Sequence, residues 1–379
     1  MVTIANAKPE ISQPERELQA RPGRLVSLDV FRGITIAAMI LVNEPGSPAA
    51  FWPLKHASWN GWTPTDLIFP CFLFIVGVSL VFSFESRRRR GDSRRALMLH
   101  ALRRSVVIFA IGLLLNGLPH FNLATWRIPG VLQRIAVAYL AAAFITLFFR
   151  TKARMAWVVV LLLGYWALMR FVVVPGYGLP TRDIPFLHPN GNLAAYIDRR
   201  LMMGHLWEGT RDPEGVLSTI PAIASVLCGV LTGDWLRSRR NTTQKAVGML
   251  AAGIVGIVAG ELWHIWFPIN KNLWTSSYVL LSAGFALVCL AICYWTTDVK
   301  FYRGWWTKPP IIFGSNAIAA YVISELLGGA FGWKERFFQH TFAHVRPPGL
   351  ASLLYSLTVV AVCFLPVWWM YRKRIFLKA

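Results

Sequence analysis

TDLIFPCFLFIVGVSLVFSFESRRRR, residues 65–90, decides the fold. From Leu67 to Phe84 the run carries no charge. Its length is close to the ~20 residues a helix needs to cross ~30 Å of hydrocarbon. Asp66 stands at one mouth, where its side chain can cap the helix. Arg87, Arg88, Arg89 and Arg90 close the other end, and clustered arginines mark the cytoplasmic end of a span. This stretch therefore predicts a transmembrane helix and its direction, with the arginines inward and Asp66 outward.

Similar runs recur on both sides of it, near 26–42, 105–118, 130–149, 155–174, 214–236, 246–267, 276–295, 310–327 and 350–371. The expected fold class is all-α, a polytopic bundle of about ten transmembrane helices. Basic clusters at Arg94–Arg95, Arg103–Arg104, Arg150–Arg154, Arg237–Lys245, Lys300–Lys308 and Arg372–Arg374 all fall on one side of it. That side is expected to be the cytoplasm, with both termini there, the protein in the cell (inner) membrane, and the His56 loop on the opposite side. Residues 1–24 are polar, contain Pro9, Pro14 and Pro22, and are expected to be a disordered cytoplasmic tail. Residues 25–379 then form a single membrane domain. No apolar run precedes Leu25, so the first span, and not a cleaved signal peptide, is expected to direct insertion.

Hydrophobic residues make up 55% of the 379 residues, which excludes an ordinary soluble domain. The net charge of +21 is spread in short clusters between apolar runs, not on one face, and nucleic acid is not an expected partner. The five cysteines all lie inside apolar runs, so no disulfide is expected. Cys289 and Cys293 are four apart, yet no loop residue completes a metal site with them, and no metal is expected.

Between the first two spans lies NEPGSPAAFWPLKHASWNGWTPTDLIFP, residues 43–70. It gathers Asn43, Glu44, His56, Asn60 and Asp66 at a membrane face, with Trp52, Trp59 and Trp62 around them. His56 is the side chain there whose proton exchanges near neutral pH. Other polar groups sit at the outer ends of their spans: Arg127, Arg134, Glu214, Glu261, His264, Asn270, Lys271 and Asn272. In one bundle these would line a common vestibule. Such a set suits acyl transfer, which needs a base for an incoming amine or hydroxyl, donors for an oxyanion and positive charge for an anionic donor. His56 fits the first role, Asn43 or Asn60 the second, and Arg32, Arg134 or Lys271 the third. Asp29 and Arg32, three apart in the first span, are placed to pair. Taken singly, each of these groups is equally explained as a bridge between helices.

SLDVFRG (27–33), KHASWNGWTPTDLIFPCFLFIVG (55–77), RIPGVLQRI (127–135), DPEGVLSTI (212–220) and PINKNLWTSSYVL (268–280) together resemble the heparan-α-glucosaminide N-acetyltransferase family, in the family's order. The resemblance implies transfer of acetyl from acetyl-CoA, drawn from the cytoplasm, to the amine of a glucosamine-type sugar. It maps the family's active histidine onto His56 and its nearby asparagine onto Asn43. Chemistry then adds Asp66 to the catalytic set and Arg32, Arg134, Asn270, Lys271 and Asn272 to the donor site. Asp29, Asn60, Glu214, Glu261, His264 and Asn316 are added to the acceptor site. His56 acts as nucleophile if an acetyl-histidine forms and as base if transfer is direct. Expected partners are acetyl-CoA, an amino sugar and the bilayer; a homodimer is compatible with the sequence. Two other functions stay open at this point: O-acylation of a surface or lipid-linked polysaccharide, and a sugar permease.

Overall fold

A computed structural model describes residues 25–118, 121–329 and 333–377. The expected tail at 1–24 and part of the last outer loop lie outside those residues. The chain is an all-α multi-pass membrane protein. Its long helices are α1 (Val26–Asn43), α2 (Ile68–Arg88), α3 (Arg94–Gly117), α4 (Val131–Phe148) and α5 (Thr151–Phe171). A short α6 (Leu193–Met202) precedes α7 (Thr219–Leu236), α8 (Thr242–His264) and α9 (Ser276–Tyr294), and then come α10 (Lys308–Ser315), α11 (Ala317–Gly329), α12 (Trp333–Thr341) and α13 (Pro348–Arg372). Among the described residues nine helices are long and apolar enough to cross a bilayer, and α10 with α11 makes a tenth as a broken pair.

Two packing solutions hold the bundle. Helices α1, α2, α4, α7 and α9 are mostly buried, whereas α3, α5 and α8 leave most of their length exposed to lipid. Lipid tails are as apolar as leucine, so helices associate through close backbone approach at small residues. Gly77 on α2 and Gly229 on α7 provide that approach. A Cβ on Gly77 would overlap the Val226 carbonyl, and one on Gly229 the Phe74 carbonyl. Gly253, Gly256 and Gly260 on α8 meet α9 at Gly284 and its neighbours in the same way. Ala138, Ala142 and Ala143 keep α4 slim at the centre.

Polar contacts sort the two ends. At one end the Ser27 N–H donates to Asp298 at 3.0 Å. Arg237 pairs with Glu85 at 2.7 Å and Arg154 with Asp234 at 2.6 Å. This is the end that carries the basic clusters. At the other end Gly61 N–H donates to the Ile269 carbonyl at 2.8 Å, and the Trp59 indole N–H donates to the Leu187 carbonyl at 2.9 Å. Buried polar side chains thus meet partners at the ends, and the apolar middle needs few.

Three local features depart from the expected spans. The ninth breaks at Ser315–Asn316 with a bend of 78°. Asn316 takes a non-helical backbone, its Nδ2 donates to the Ile375 carbonyl and its Oδ1 accepts the Leu377 N–H, both at 2.9 Å. The C-terminal segment therefore satisfies the Asn316 side-chain amide and ties residues 375–377 to the break. Secondly, α3 begins at Arg94, capped by Ser93, so Arg103 and Arg104 ride on the helix and not in a loop. Long basic side chains reach the interface from such positions. Thirdly, residues 212–218 are loop. Asp212 accepts the Glu214 N–H at 2.9 Å and forms two bonds with Arg127, at 2.9 and 2.7 Å, which hold the chain in a turn before α7.

Asp198 on α6 supports that turn from beneath and accepts the Val216 N–H at 2.9 Å. It is almost wholly buried. Burial pushes its carboxyl up to about 6, with the charge of Asp212 adding to the rise and the Val216 N–H opposing it.

Two outcomes follow from this packing. Gly77→Ala and Gly229→Ala each destabilise the bundle by about 1–3 kcal/mol, as overpacking does, and lower the melting temperature in detergent; lipid-facing Val160→Ala stays within about 0.5 kcal/mol. For Asp198 the folded value lies above the ordinary 3.8. Its contribution is therefore full below that value and is lost as pH rises through about 6. Asp198→Asn keeps an oxygen for the Val216 N–H but turns a donating NH2 toward the Asp212 N–H that the carboxylate also accepts, a fixed loss at every pH. Relative to the parent it gains stability between pH 4 and 6.5, measured as the difference in melting temperature across that range.

Candidate active site

Two loops build the end of the bundle opposite the basic clusters, 44–67 between α1 and α2 and 265–275 between α8 and α9. Gly61 turns the first loop in a left-handed backbone, φ +95°, which glycine adopts without strain. That turn brings its N–H to the Ile269 carbonyl. Asn60 Oδ1 accepts from Asn270 Nδ2 at 3.1 Å. Asn270 in turn accepts the Leu273 N–H at 2.9 Å and donates its own N–H to Thr275 at 3.0 Å.

Asp66 organises the first loop. Its Oδ2 accepts the Ala57 and Thr63 backbone N–H groups, both at 3.0 Å. Its Oδ1 lies 2.7 Å from His56 Nδ1. Its own carbonyl accepts from the hydroxyl of Tyr278 on α9. The Asp66 side chain is 1% exposed and that of His56 48%. In the tautomer that carries the ring proton on Nδ1, this contact is a hydrogen bond from the ring to the carboxylate. Nε2 then keeps its lone pair, at the half-exposed edge of the loop. A buried acid orienting a half-exposed imidazole in this tautomer equips the ring to take a proton or to attack a carbonyl.

Lys271 reaches the same point from the second loop. Its Nζ stands 2.9 Å from His56 Nδ1, 3.4 Å from Nε2 and 3.5 Å from Asp66 Oδ1. Burial lowers the Lys271 ammonium from its ordinary value, while Asp66 and Glu214 pull it back up.

The structure thus brings His56, Asp66, Asn60, Asn270 and Lys271 together, with Glu214 behind Lys271. Glu214 is held at 2.6 Å by Arg127, which also stacks over Trp207 at 4.9 Å. Asn43 ends α1 with an exposed side chain. Arg134 is buried in α4, where it donates to Ser218 and lies 5.0 Å over Trp274. Its Nε and Nη1 meet no partner among the described residues. Glu261 accepts the Trp62 indole N–H at 2.9 Å, and His264 Nδ1 accepts the Ile269 N–H at 3.0 Å, so both brace loop ends. Asn272 lines a small cleft with Trp59, Arg211 and Ser218.

Asp29, Arg32 and Asn316 lie toward the other end and are not brought to His56. Arg32 donates to Ser79 at 2.8 Å and to the Gly314 carbonyl at 3.2 Å, and sits 3.3 Å from Asp29. It lines a cavity of about 390 Å³ with Arg87, Arg90, His100, Arg104 and Ser315. The broken helix opens on this cavity through Gly314, Ser315, Ala317 and Ile318. Arg104 stacks on Tyr139 at 5.1 Å, and its buried Nε–H has no partner among the described residues.

Sequence reasoning gave no role to Tyr278, Ser79, His100 or Arg104, and read Lys271 as a donor-site charge. Tyr278 and Lys271 fall in the 268–280 motif, which was their available signal; Ser79 and His100 carried none.

The family model for the catalytic part of heparan-alpha-glucosaminide N-acetyltransferase matches residues 24–261. Over 95% of its length the chain is 34% identical to the heparan-alpha-glucosaminide N-acetyltransferase of Homo sapiens, and over 97% it is 33% identical to that of Mus musculus. It spans 61% and 62% of the lengths of those two proteins. With the five motifs in order and the helical bundle that carries them, the chain belongs to the heparan-alpha-glucosaminide N-acetyltransferase family.

Proposed function

We propose that the protein moves acetyl from acetyl-CoA to the amine of a glucosamine-type sugar, and that His56 Nε2 is the reacting atom. The observation that carries this reading is the 2.7 Å contact between His56 Nδ1 and buried Asp66. We assign the ring proton to Nδ1, facing Asp66, so that Nε2 holds the lone pair at an accessible loop. The relatives' names supply the reaction class.

In direct transfer the sugar nitrogen attacks the thioester carbonyl carbon. Nε2 takes a proton from that nitrogen as the C–N bond forms. The C–S bond then breaks, and the proton passes from Nε2 to the departing thiolate sulfur, giving CoA and a neutral ring. In the alternative order Nε2 attacks the thioester carbonyl carbon and the C–S bond breaks, releasing CoA as its thiolate; the sugar nitrogen then attacks the acetyl carbon, the N–C bond to the ring breaks to restore the neutral imidazole, and the proton lost by the amine ends on the thiolate. Both orders need the same lone pair. Asn43 and Asn60 are the side-chain amides of this loop that we assign to the developing oxyanion.

For the donor, the inner cavity fits an anionic molecule. Its volume lies within the usual range for ligand sites. Four arginines and a histidine line it, and one Arg104 N–H is unspent. The start of α11 adds a helix N-terminus, which favours negative charge. We place the nucleotide of acetyl-CoA here, on the cytoplasmic side, and the sugar at His56 on the far side of the membrane.

The deciding assay is transfer from labelled acetyl-CoA to glucosamine by purified protein in detergent. His56→Ala lowers turnover by about 10²–10⁴-fold, the contribution of a positioned base, a loss far larger than the modest fall in melting temperature from leaving Asp66 Oδ1 without this partner accounts for. Asp66→Asn lowers it too, because an amide at that position no longer dictates the tautomer. Arg104→Gln raises KM for acetyl-CoA about tenfold or more, as loss of a charge-assisted bond does, with little change in kcat. Transfer to a polysaccharide hydroxyl but not to glucosamine would replace the acceptor. Flux of sugar with no binding of CoA would overturn the reading.

A further inference from the structure

We propose that Lys271 is a positioning residue that keeps His56 uncharged, by cancelling the Asp66 carboxylate at the imidazole. This rests on the reading of His56 as the reacting group, and its test includes an arm that does not depend on acetyl transfer.

The need for such a residue follows from the pairing itself. A buried carboxylate 2.7 Å from Nδ1 orients the ring, but its charge also favours the imidazolium. A doubly protonated ring has no lone pair and is neither base nor nucleophile. Orientation by Asp66 therefore works against reactivity unless another charge offsets it. The Lys271 ammonium is 3.5 Å from the same Asp66 oxygen and within 3.4 Å of both ring nitrogens. It opposes a second proton on the ring and leaves the Nδ1–H bond to Asp66 in place. An ammonium only donates, so it can bond only a ring nitrogen that holds a lone pair; with the ring proton toward Asp66 that nitrogen is Nε2, at 3.4 Å, and a doubly protonated ring would offer it none.

The placement is built into the backbone. Residue 271 directly follows Ile269, whose carbonyl accepts the Gly61 N–H, and Asn270, whose backbone and side chain are both bonded within the loop. The Lys271 side chain is 22% exposed, against 48% for His56. The charged groups around the pair are few. On the histidine's own segment they are Lys55, which is exposed, and Asp66. From the loop before α7, Glu214 faces Lys271, and Arg127 holds Glu214 in turn. From α9, Tyr278 donates to the Asp66 carbonyl.

The test compares the parent with Lys271→Met, Lys271→Gln and Lys271→Arg in detergent. Modification of His56 by diethyl pyrocarbonate, which reacts with the neutral ring, is followed against pH by mass spectrometry of the His56 peptide. Removing the charge in Lys271→Met or Lys271→Gln moves the midpoint up by about one pH unit or more, the effect of a close carboxylate left uncompensated. Lys271→Arg stays within a few tenths of the parent. The acid limb of kcat/KM for acetyl transfer moves the same way in the same variants. An unchanged or lowered midpoint in whichever neutral variant folds overturns the proposal, even if turnover falls. A raised midpoint with no transfer by any variant, the parent included, upholds the role of Lys271 and removes the acetyltransferase reading instead.

Discussion

The carboxylate of Asp66 is the constraint on which the His56 end of the bundle depends. Groups from two loops converge on it: the Ala57 and Thr63 backbone N–H groups and His56 from its own loop and, at longer range, Lys271 from the other. Burying such a group without partners would cost several kcal/mol. The loop is therefore obliged to fold so that each oxygen is met, and His56 is oriented as part of that same solution. Structure and candidate chemistry share one cause here. The turn at Thr63–Leu67 starts the second span, and the residue that begins the span also aims the imidazole.

A second constraint comes from the bilayer. Polar side chains are tolerated at the two ends of the bundle and only sparsely between them. The result is two separate polar regions, a mixed one at His56 and a cationic one around Arg32, Arg87, Arg90 and Arg104. In the proposed function the cationic region takes the anionic donor and the mixed region the acceptor. The broken helix α10–α11 borders the cationic region, and the Asn316 side chain at its break is bonded by the C-terminal segment. Non-helical backbone at such depth is admissible where protein or a cavity covers it.

Much of this was legible in the linear chain. Ten apolar runs and their basic clusters correspond to nine long helices and one broken pair, because the length and charge rules of a membrane act on consecutive residues. His56 and Asp66 were legible for the same reason: they are ten apart and belong to one turn. Arg134 was read as a donor-site charge from its type and motif, yet it is buried in α4 against Ser218 and Trp274. Spacing reports which way a helix faces only weakly when the helix is apolar all round. Asn316, read as an acceptor contact, sits at the helix break, its amide bonded to residues 375 and 377.

The sequence by itself determined the class of fold, the number of crossings, the charged side of the bundle and the loop that carries His56. Each of these depends on local hydropathy, local charge or a contiguous motif. Tertiary structure alone decided that Lys271 stands against an imidazole 215 positions away, that Tyr278 supports Asp66, and that Arg104, His100 and Ser79 share a cavity with Arg32. Those meetings depend on how α2, α4, α7 and α9 pack. Glycine contacts such as Gly77 against Val226 set that packing, and no stretch of sequence short enough to read as a pattern contains both partners.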